Sequence, residues 1–320
     1  MKSDEWTSAD HELTETTAQW LTEATPANTR RAYDWAWTQY AAWCEKHGRR
    51  AVPATPQTLT EYVAHLRAET AAVATIDQAL GVILARHDKA EALKPNTRDA
   101  RDLLRGYRRH LAENGITPKQ ALPFTADTLL QTIRALDLAT VRGRRDQLLL
   151  TLGFAMMARR SELAALTFAD VEDGADGLDV TVRASKTDKQ SRGRVVSLPP
   201  LPMSEVDPVR LFRAWRHEHG PQGPLLCHLD LTGAPAGPIT GHGINHAVRA
   251  AARRAGLADS DRYTAHSLRA GGLTDALRRR VPLGIAARHG GWDPESPTVL
   301  RYARVADRWR DNAMQGAFKR

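Results

Sequence analysis

The chain has 320 residues, of which 42% are hydrophobic, so it can bury the cores of two domains and is not disordered in composition. Its formal net charge of +8 favours a polyanionic partner, although a GC-rich genome would also enrich arginine and alanine. The two distant cysteines, Cys44 and Cys227, exclude a disulfide framework and a cysteine zinc site. The sequence shows no membrane-spanning apolar run and no secretory signal, so we expect a soluble cytoplasmic, nucleoid-associated protein.

The N-terminal third predicts an arm followed by an all-helical lobe. Residues 1–25 carry many acidic groups without a strong period, which is typical of a loose arm or a short leading helix. Asn28 is expected to cap a long helix whose buried face is formed by residues three or four apart: Ala36, Tyr40 and Trp43. Thr55 and Pro56 predict the cap and first position of the next helix. With two further helices, this lobe spans residues 26–113.

The remainder predicts a linker and a second lobe. Asn-Gly and two prolines within residues 114–124 indicate the linker, and Thr125 is expected to cap the first helix of a lobe over residues 125–320. Alternating periodicity predicts one small hairpin with these inward-facing residues: Leu178, Val180, Val182, Val196 and Leu198. Helices return from Pro208, interrupted by a glycine- and proline-rich loop from Thr232 to Gly243. We therefore predict a mainly α protein, an all-α domain followed by an α+β domain with a small antiparallel sheet.

A His-x-x-Arg pair stands out in the stretch "TAHSLRAGGLTDALRRR". At helical spacing, His266 and Arg269 share a face that offers a proton-transfer group and a bidentate clamp for an anion. Gly271 and Gly272 would let another backbone segment or a DNA strand approach closely. Taken alone, such a pair is more often an ordinary surface histidine and arginine.

Other chemically capable residues accompany this pair. Arg159 ends a strongly apolar stretch, and Glu162 is either its structural ion-pair partner or the group that orients it toward a ligand. Lys186 lies in the cationic loop of the predicted hairpin. Trp292 and Tyr302 could equally be core aromatic residues.

In chain order, this arginine, lysine, His-x-x-Arg pair, tryptophan and tyrosine resemble the active site of the tyrosine recombinases, also called phage integrases. "KQALPF", "HSLRAGG" and "GGW" are similar to the Cre-like branch of that family, and the resemblance covers about residue 28 to the C-terminus. It implies a core DNA-binding domain followed by a catalytic domain, closing on duplex DNA as a C-shaped clamp. Arg159 is then expected on a helix, Lys186 in the hairpin, and the other site residues on helices.

The resemblance implies a site-specific recombinase that cleaves and rejoins duplex DNA. Arg159 and Arg269 would grip the scissile phosphate and stabilise its pentacoordinate transition state. Tyr302 would attack the phosphorus and form a 3′-phosphotyrosine intermediate, whose ester is later attacked by another strand's 5′ hydroxyl. No metal, ATP or other cofactor is implied, because arginines supply the positive charge.

Four further residues receive roles from the same resemblance. Lys186 would protonate the leaving 5′ oxygen, and His266 would handle the tyrosine proton. Trp292 would donate its indole N–H to the phosphate, and Glu162 would support the site from behind.

The resemblance also implies how DNA and neighbouring protomers are bound. Two helices of the first lobe would read the major groove through Thr29, Arg31, Ala32, Thr75 and Gln78. Trp35 lies among these residues and could be a groove reader or a core residue. The partners would be double-stranded DNA with an inverted-repeat site and a homotetramer on paired sites. The tail after Tyr302 is expected to form a helix that docks on a neighbouring protomer or packs on its own domain.

Two alternatives stay open at this stage. A type IB topoisomerase-like enzyme would use the same groups to break and rejoin DNA without pairing two sites. A non-catalytic DNA-binding protein could retain the fold alone. The residues do not distinguish integration, excision, inversion and dimer resolution, nor do they show whether accessory proteins are needed.

Overall fold

The computed structural model describes residues 7, 9, 12–116, 121–183, 193–230, 232–297, 299–300 and 302. The chain divides into two compact units, residues 1–118 and 119–320. The division falls inside the segment 114–124, where the sequence predicts a linker.

The regular secondary structure in the described residues of the first unit is α-helical, apart from short turns. Its helices are α1 (Glu15–Ala24), α2 (Ala27–Lys46), α3 (Pro56–Ala68), α4 (Val73–Lys89) and α5 (Arg98–Glu113). Helix α2 packs mainly on α4, and α3 packs mainly on α5. The predicted buried face of α2 is confirmed, because Ala36, Tyr40 and Trp43 all lie in the core of this unit.

Helix boundaries follow the sequence at one cap and depart from it at another. Thr55 caps α3 by accepting the backbone N–H of Thr58 at 3.1 Å, and Pro56 takes the first helical position, as predicted. The prediction for Asn28 was wrong, because α2 begins at Ala27 and places Asn28 inside its first turn. Pro26 occupies the cap, and its carbonyl accepts the N–H of Arg30 at 3.0 Å. Proline suits a helix entrance because it has no N–H to leave unpaired.

The second unit surrounds its main core with helices. They are α6 (Ala126–Arg134), α7 (Val141–Ala155), α8 (Arg160–Ala165), α9 (Pro208–His219), α10 (Gly241–Arg254), α11 (Ala265–Arg278) and α12 (Leu283–Gly290). Thr125 caps α6 by accepting the N–H of Thr128 at 3.1 Å, as predicted. Helix α11 packs against both α7 and α12. None of the helices in the described ranges has the length and apolarity that crossing a membrane requires.

Two small antiparallel sheets complete the second unit. Strands β1 (Val171–Asp173), β2 (Leu178–Val182) and β3 (Arg194–Leu198) form one sheet in that order. Its predicted inward-facing residues are all buried: Leu178, Val180, Val182, Val196 and Leu198. Strand β1 was not predicted, since three residues are too few to show a period.

The second sheet corrects the predicted loop from Thr232 to Gly243. Strand β5 (Pro235–Pro238) lies there and pairs with β4 (Cys227–Leu229), and α10 begins at Gly241. Prolines hide a strand in sequence because they cannot donate to a ladder. Neighbouring amides hold this pairing, with Asp230 N–H donating to the Ala234 carbonyl at 3.0 Å and Ile239 N–H to the Leu226 carbonyl at 3.1 Å.

Candidate active site

The His-x-x-Arg pair lies in the first turns of α11, at the centre of a cluster of cationic and aromatic side chains. Thr264 and Ser267 cap the start of the helix reciprocally, and this fixes the position of its first turn. His266 is exposed to solvent, whereas Arg269 is only 3% exposed. One face of the helix therefore carries a titratable ring at the surface and a buried guanidinium one turn below it.

The two glycines that follow this pair are needed for packing within the chain. A β-carbon at Gly271 would overlap the carbonyl oxygen of Phe124, and one at Gly272 would overlap the carbonyl oxygen of Phe154. Both glycines are buried. The sequence allowed either another backbone segment or a DNA strand to approach these glycines, and in the structure it is backbone of the same chain. This close packing sets the depth at which α11 holds Arg269.

Arg159 was expected on a helix, but it lies at the junction between α7 and α8. It is the N-cap residue of α8, after a turn in which Met157 adopts a positive φ of 49°. The Glu162 carboxylate accepts both the Arg159 backbone N–H, at 3.0 Å, and its Nη1 group, at 2.6 Å. One carboxylate therefore holds both the backbone and the guanidinium group of Arg159 in place.

Arg194 is part of the cluster although sequence reasoning missed it. Its Nη2 group donates at 2.8 Å to Glu162 Oε2, the oxygen that also accepts the Arg159 backbone N–H. It occupies the first position of β3, on the same face as the buried residues Val196 and Leu198. An arginine in step with the inward-facing residues of a strand implies a buried anionic partner, and that signal could have identified it.

Three arginines converge on three consecutive carbonyl groups at the C-terminal end of α12. Arg194 Nη1 donates to His289 O at 2.8 Å, Arg269 Nη1 to Gly290 O at 2.8 Å, and Arg159 Nη2 to Gly291 O at 3.1 Å. These carbonyls follow the last helical hydrogen bonds and carry the negative end of the helix dipole. The end of α12 therefore holds three guanidinium groups at fixed positions.

The cluster has an excess of positive charge. It holds three guanidinium groups and one carboxylate, Glu162, which pairs with Arg159 and Arg194, so the net charge of these four side chains is +2. In addition, Arg269 Nη2 is buried and has no hydrogen-bond partner in the described part of the chain. An unpaired buried N–H donor is costly, so the arrangement suits an incoming anion.

Two aromatic residues border the arginines. The Arg269 guanidinium carbon lies 3.5 Å from the centre of the Trp292 ring, a stacked cation–π contact. Trp292 follows the end of α12 and does not lie on a helix, contrary to expectation. Tyr302 packs against the small core formed by α11 and α12, and its ring centre is 6.4 Å from those of Trp292 and His266.

Tyr302 and His266 are joined by a hydrogen bond. The distance between Tyr302 Oη and His266 Nε2 is 2.9 Å. Partial burial of the ring and the positive charge of Arg269 both lower the pKa of His266, although solvent screens the effect on this exposed side chain. A lowered pKa keeps the imidazole neutral at neutral pH, so its nitrogen can accept the phenol proton.

The ionisation of the buried groups follows their surroundings. Burial, reinforced by the charge of Arg159, lowers the pKa of Arg269 to about 9, which still leaves it charged at neutral pH. Burial alone would raise the pKa of Glu162, but hydrogen bonds from Arg159 and the charges of Arg194 and Arg159 outweigh it and hold that pKa below its ordinary value. Glu162 is thus an anion in the folded protein.

Lys186 and the tail after Tyr302 lie outside the described residues. The other five predicted catalytic residues and Glu162 all belong to the cluster. No group of three or more histidine, cysteine or acidic side chains within the described segments is placed to hold a metal ion.

A separate groove lies in the first unit, between α2, α3 and α4. Its volume is about 460 Å³, and its lining includes Ala32, Trp35, Thr75 and Gln78. Trp35 is 60% exposed, so the alternative that it is a core residue was wrong. Of the other predicted DNA-reading residues, Arg31 is exposed and Thr29 is half-buried, and both lie on α2 outside the groove lining.

Comparison with known proteins identifies the second unit. The profile of the phage integrase family matches residues 123–308, a range that contains all six predicted catalytic residues. One relative is an integrase/recombinase XerD homologue of Selenomonas ruminantium, 26% identical over 92% of this chain and 86% of its own length. Another is the Cre recombinase of Escherichia phage P1, 28% identical over 84% of this chain and 81% of its own length.

A solved structure gives the fold. The chain matches a lambda integrase fragment, crystallised as a dimer bound to a COC′ core site, with a TM-score of 0.59 and 16% identity over 92% of this chain and 94% of that one. The family carries out site-specific recombination by transferring DNA strands, and the recombinase relatives do not favour a topoisomerase-like or non-catalytic alternative. The chain belongs to the phage integrase family, the tyrosine recombinases.

Proposed function

We propose that Tyr302 is the nucleophile with which this recombinase cleaves DNA. The observation that carries the proposal is the 2.9 Å hydrogen bond between Tyr302 Oη and His266 Nε2, one turn of α11 above the buried Arg269. The phenol oxygen attacks the phosphorus of a scissile phosphodiester, and its proton passes to His266. The bond between phosphorus and the 5′ oxygen then breaks, leaving a 3′-phosphotyrosine and a free 5′ hydroxyl.

Arg159 and Arg269 bind the scissile phosphate in this proposal. A phosphodiester carries one negative charge, and the pentacoordinate transition state formed by phenolate attack carries two. The net charge of +2 in the cluster matches the transition state better than the ground state, which is the condition for acceleration. Arg269 Nη2, buried without a partner in the described part of the chain, is the donor that gains most from the phosphate.

Proton transfer and orientation are divided among the remaining residues. Lys186 supplies the proton that the leaving 5′ oxygen takes up, a role that comes from the family resemblance. Glu162 keeps Arg159 oriented through its two hydrogen bonds. Trp292 covers Arg269 from one side and thereby keeps water from the guanidinium group.

The groove of the first unit is the proposed reader of the recognition site. Gln78 offers an amide that can pair with adenine in the major groove, and Ala32 offers a methyl surface for thymine. Thr75 and the exposed ring of Trp35 complete this surface, while Arg31 and Thr29 on α2 would contact the DNA beside it. Phosphates are bound by polar and cationic groups, whereas base edges also present apolar surface. The mixed polar and apolar lining of the groove therefore suits base edges better than phosphates.

The proposal extends to the assembly. We expect an inverted-repeat site in double-stranded DNA and a homotetramer that pairs two such sites at the nucleoid, with the C-terminal tail docking on a neighbouring protomer. Exchange of strands between paired sites returns the ester energy to DNA, so the reaction consumes no nucleotide.

A covalent trap tests the nucleophile. Purified protein is mixed with nicked duplexes of random sequence, the mixture is denatured, and only DNA still attached to protein is recovered. The nick lets the cleaved fragment diffuse away, so the phosphotyrosine ester accumulates. Wild-type protein should retain DNA and Tyr302→Phe should retain none. If neither retains DNA although both bind duplex, or if both retain it equally, Tyr302 is not the nucleophile.

A further inference from the structure

Arg194 connects three parts of the active site that are distant in sequence. It lies at the start of β3, donates through Nη2 to Glu162 and donates through Nη1 to the His289 carbonyl. Its side chain also passes directly under Gly291, because a β-carbon at Gly291 would lie 2.6 Å from Arg194 Nε. The guanidinium group is thus enclosed between the carboxylate and the end of α12.

These contacts distinguish Arg194 from the two phosphate-binding arginines. Each of Arg194 and Arg269 keeps one buried donor without a hydrogen-bond partner in the described ranges, Nε in Arg194 and the terminal Nη2 in Arg269. Arg194 Nε lies directly beneath Gly291, and both terminal nitrogens of Arg194 are already engaged, one of them with a carboxylate that is 0% exposed. Arg194 is therefore not positioned to bind the phosphate itself. Both of its acceptors, however, belong to groups that hold a phosphate-binding arginine.

The consequence is a closed chain of contacts. Glu162 fixes Arg159, and the His289–Gly291 turn fixes Arg159 and Arg269 and leads into Trp292. Without Arg194, the carboxylate would be held from one side only, and the turn would lose one of its three guanidinium contacts. A shift of about 1 Å in a reacting group can slow a reaction by about 100-fold.

We propose that Arg194 is a positioning residue for DNA strand cleavage, which locks Glu162 to the carbonyl end of α12 so that Arg159 and Arg269 face one phosphate. This inference rests on the proposed function. Lysine is not an equivalent replacement, since a single ammonium group lacks the planar fork that reaches both acceptors.

The test uses a nicked duplex recovered by wild-type protein in the covalent trap. For each variant, the rate constant for covalent-complex formation at saturating protein and the Kd for the same duplex are measured separately, well below the unfolding temperature. The variants are Arg194→Gln, Arg194→Lys, Glu162→Gln and the Arg194→Gln/Glu162→Gln double variant. Arg213→Gln is the matched control, because Arg213 also donates through two nitrogens to one carboxylate, Asp173, away from the site.

Arg194→Gln should lower the rate constant by about 10- to 100-fold with a Kd within about threefold of wild type, while Arg213→Gln changes neither. Arg194→Lys should give an intermediate rate. The double variant should be no slower than the slower single variant, because the link from Glu162 to the end of α12 needs both side chains and is already lost in either single variant.

Several outcomes overturn the inference. It fails if Arg194→Gln cleaves at the wild-type rate, if the loss is entirely in Kd, or if the two single losses multiply in the double variant. Should Arg194→Gln not fold, a folded Arg194→Lys that cleaves at the wild-type rate overturns it equally. Absence of any covalent complex with wild-type protein refutes the proposed function and the inference together, whereas wild-type cleavage with unaffected variants refutes only the inference.

Discussion

Replacing Glu162 with glutamine should destabilise the second unit markedly. The Glu162 side chain is 0% exposed and faces Arg159 at 2.6 Å and Arg194 at 2.8 Å, while also accepting the Arg159 backbone N–H at 3.0 Å. An amide in its place leaves two guanidinium groups without a counter-ion. Removing one partner of a buried ion pair costs about 3–5 kcal/mol, and the partial exposure of the two arginines places this case near the lower end, at about 3 kcal/mol.

This magnitude can be measured by thermal and denaturant unfolding at pH 7. In a unit of this size, about 3 kcal/mol corresponds to a Tm lower by about 6–12 °C. Glu218→Gln is the matched control, because Glu218 also pairs with an arginine, Arg144, but at a partly exposed site. The control should lose no more than about 1 kcal/mol. Equal losses in the two variants would refute the argument that burial makes the Glu162 contacts strong.

The pH dependence of stability gives a second check on Glu162. Its pKa is lower in the folded protein than in the unfolded chain, so its contribution is fully present above the unfolded pKa, near 4.5, and is lost as the pH falls through the lowered folded value. Wild-type protein should therefore lose stability below about pH 4.5 more steeply than Glu162→Gln. Parallel curves for the two proteins would show that the carboxylate is not held as an anion.

Two further predictions concern cleavage and recognition. Burial and Arg269 lower the pKa of His266, so the single-turnover cleavage rate should stay level down to about pH 6.5 and fall only below it. His266→Gln should cleave slowly and with a weaker pH dependence. A fall in the wild-type rate already between about pH 8 and 7 would contradict this reasoning. Gln78→Ala should cost about 1–3 kcal/mol in binding and relax the base preference at one position of each half-site in a selection from random duplexes, whereas Arg31→Ala should weaken all sequences alike.

Much of the fold could be predicted because its signals are local. The alternation of Val180 and Val182 and the cap at Thr125 each depend on a few neighbouring residues, and both were found as expected. The errors were also local in origin. Asn28 and Pro26 competed for one cap, and the prolines of β5 concealed a strand that is held by flanking amides.

The active site was only partly predictable, for a different physical reason. A spaced pair such as His266 and Arg269 shows in the sequence because one helix holds both. The carbonyls of the last turn of α12 do not, because backbone acceptors have no side-chain signature and their partners come from other elements. Arg194 shows only as an arginine in step with the inward-facing residues of β3, which does not tell what it contacts.

The arrangement at the end of α12 suggests why a tyrosine recombinase can keep several arginines close together before DNA arrives. Like charges in a buried site repel, and one carboxylate cannot neutralise three of them. Three consecutive carbonyls at the negative end of a helix dipole supply acceptors at fixed spacing, without adding a full negative charge that would repel the phosphate. The site can therefore hold its guanidinium groups in place and still retain its net positive charge for the transition state, which a second carboxylate would have reduced.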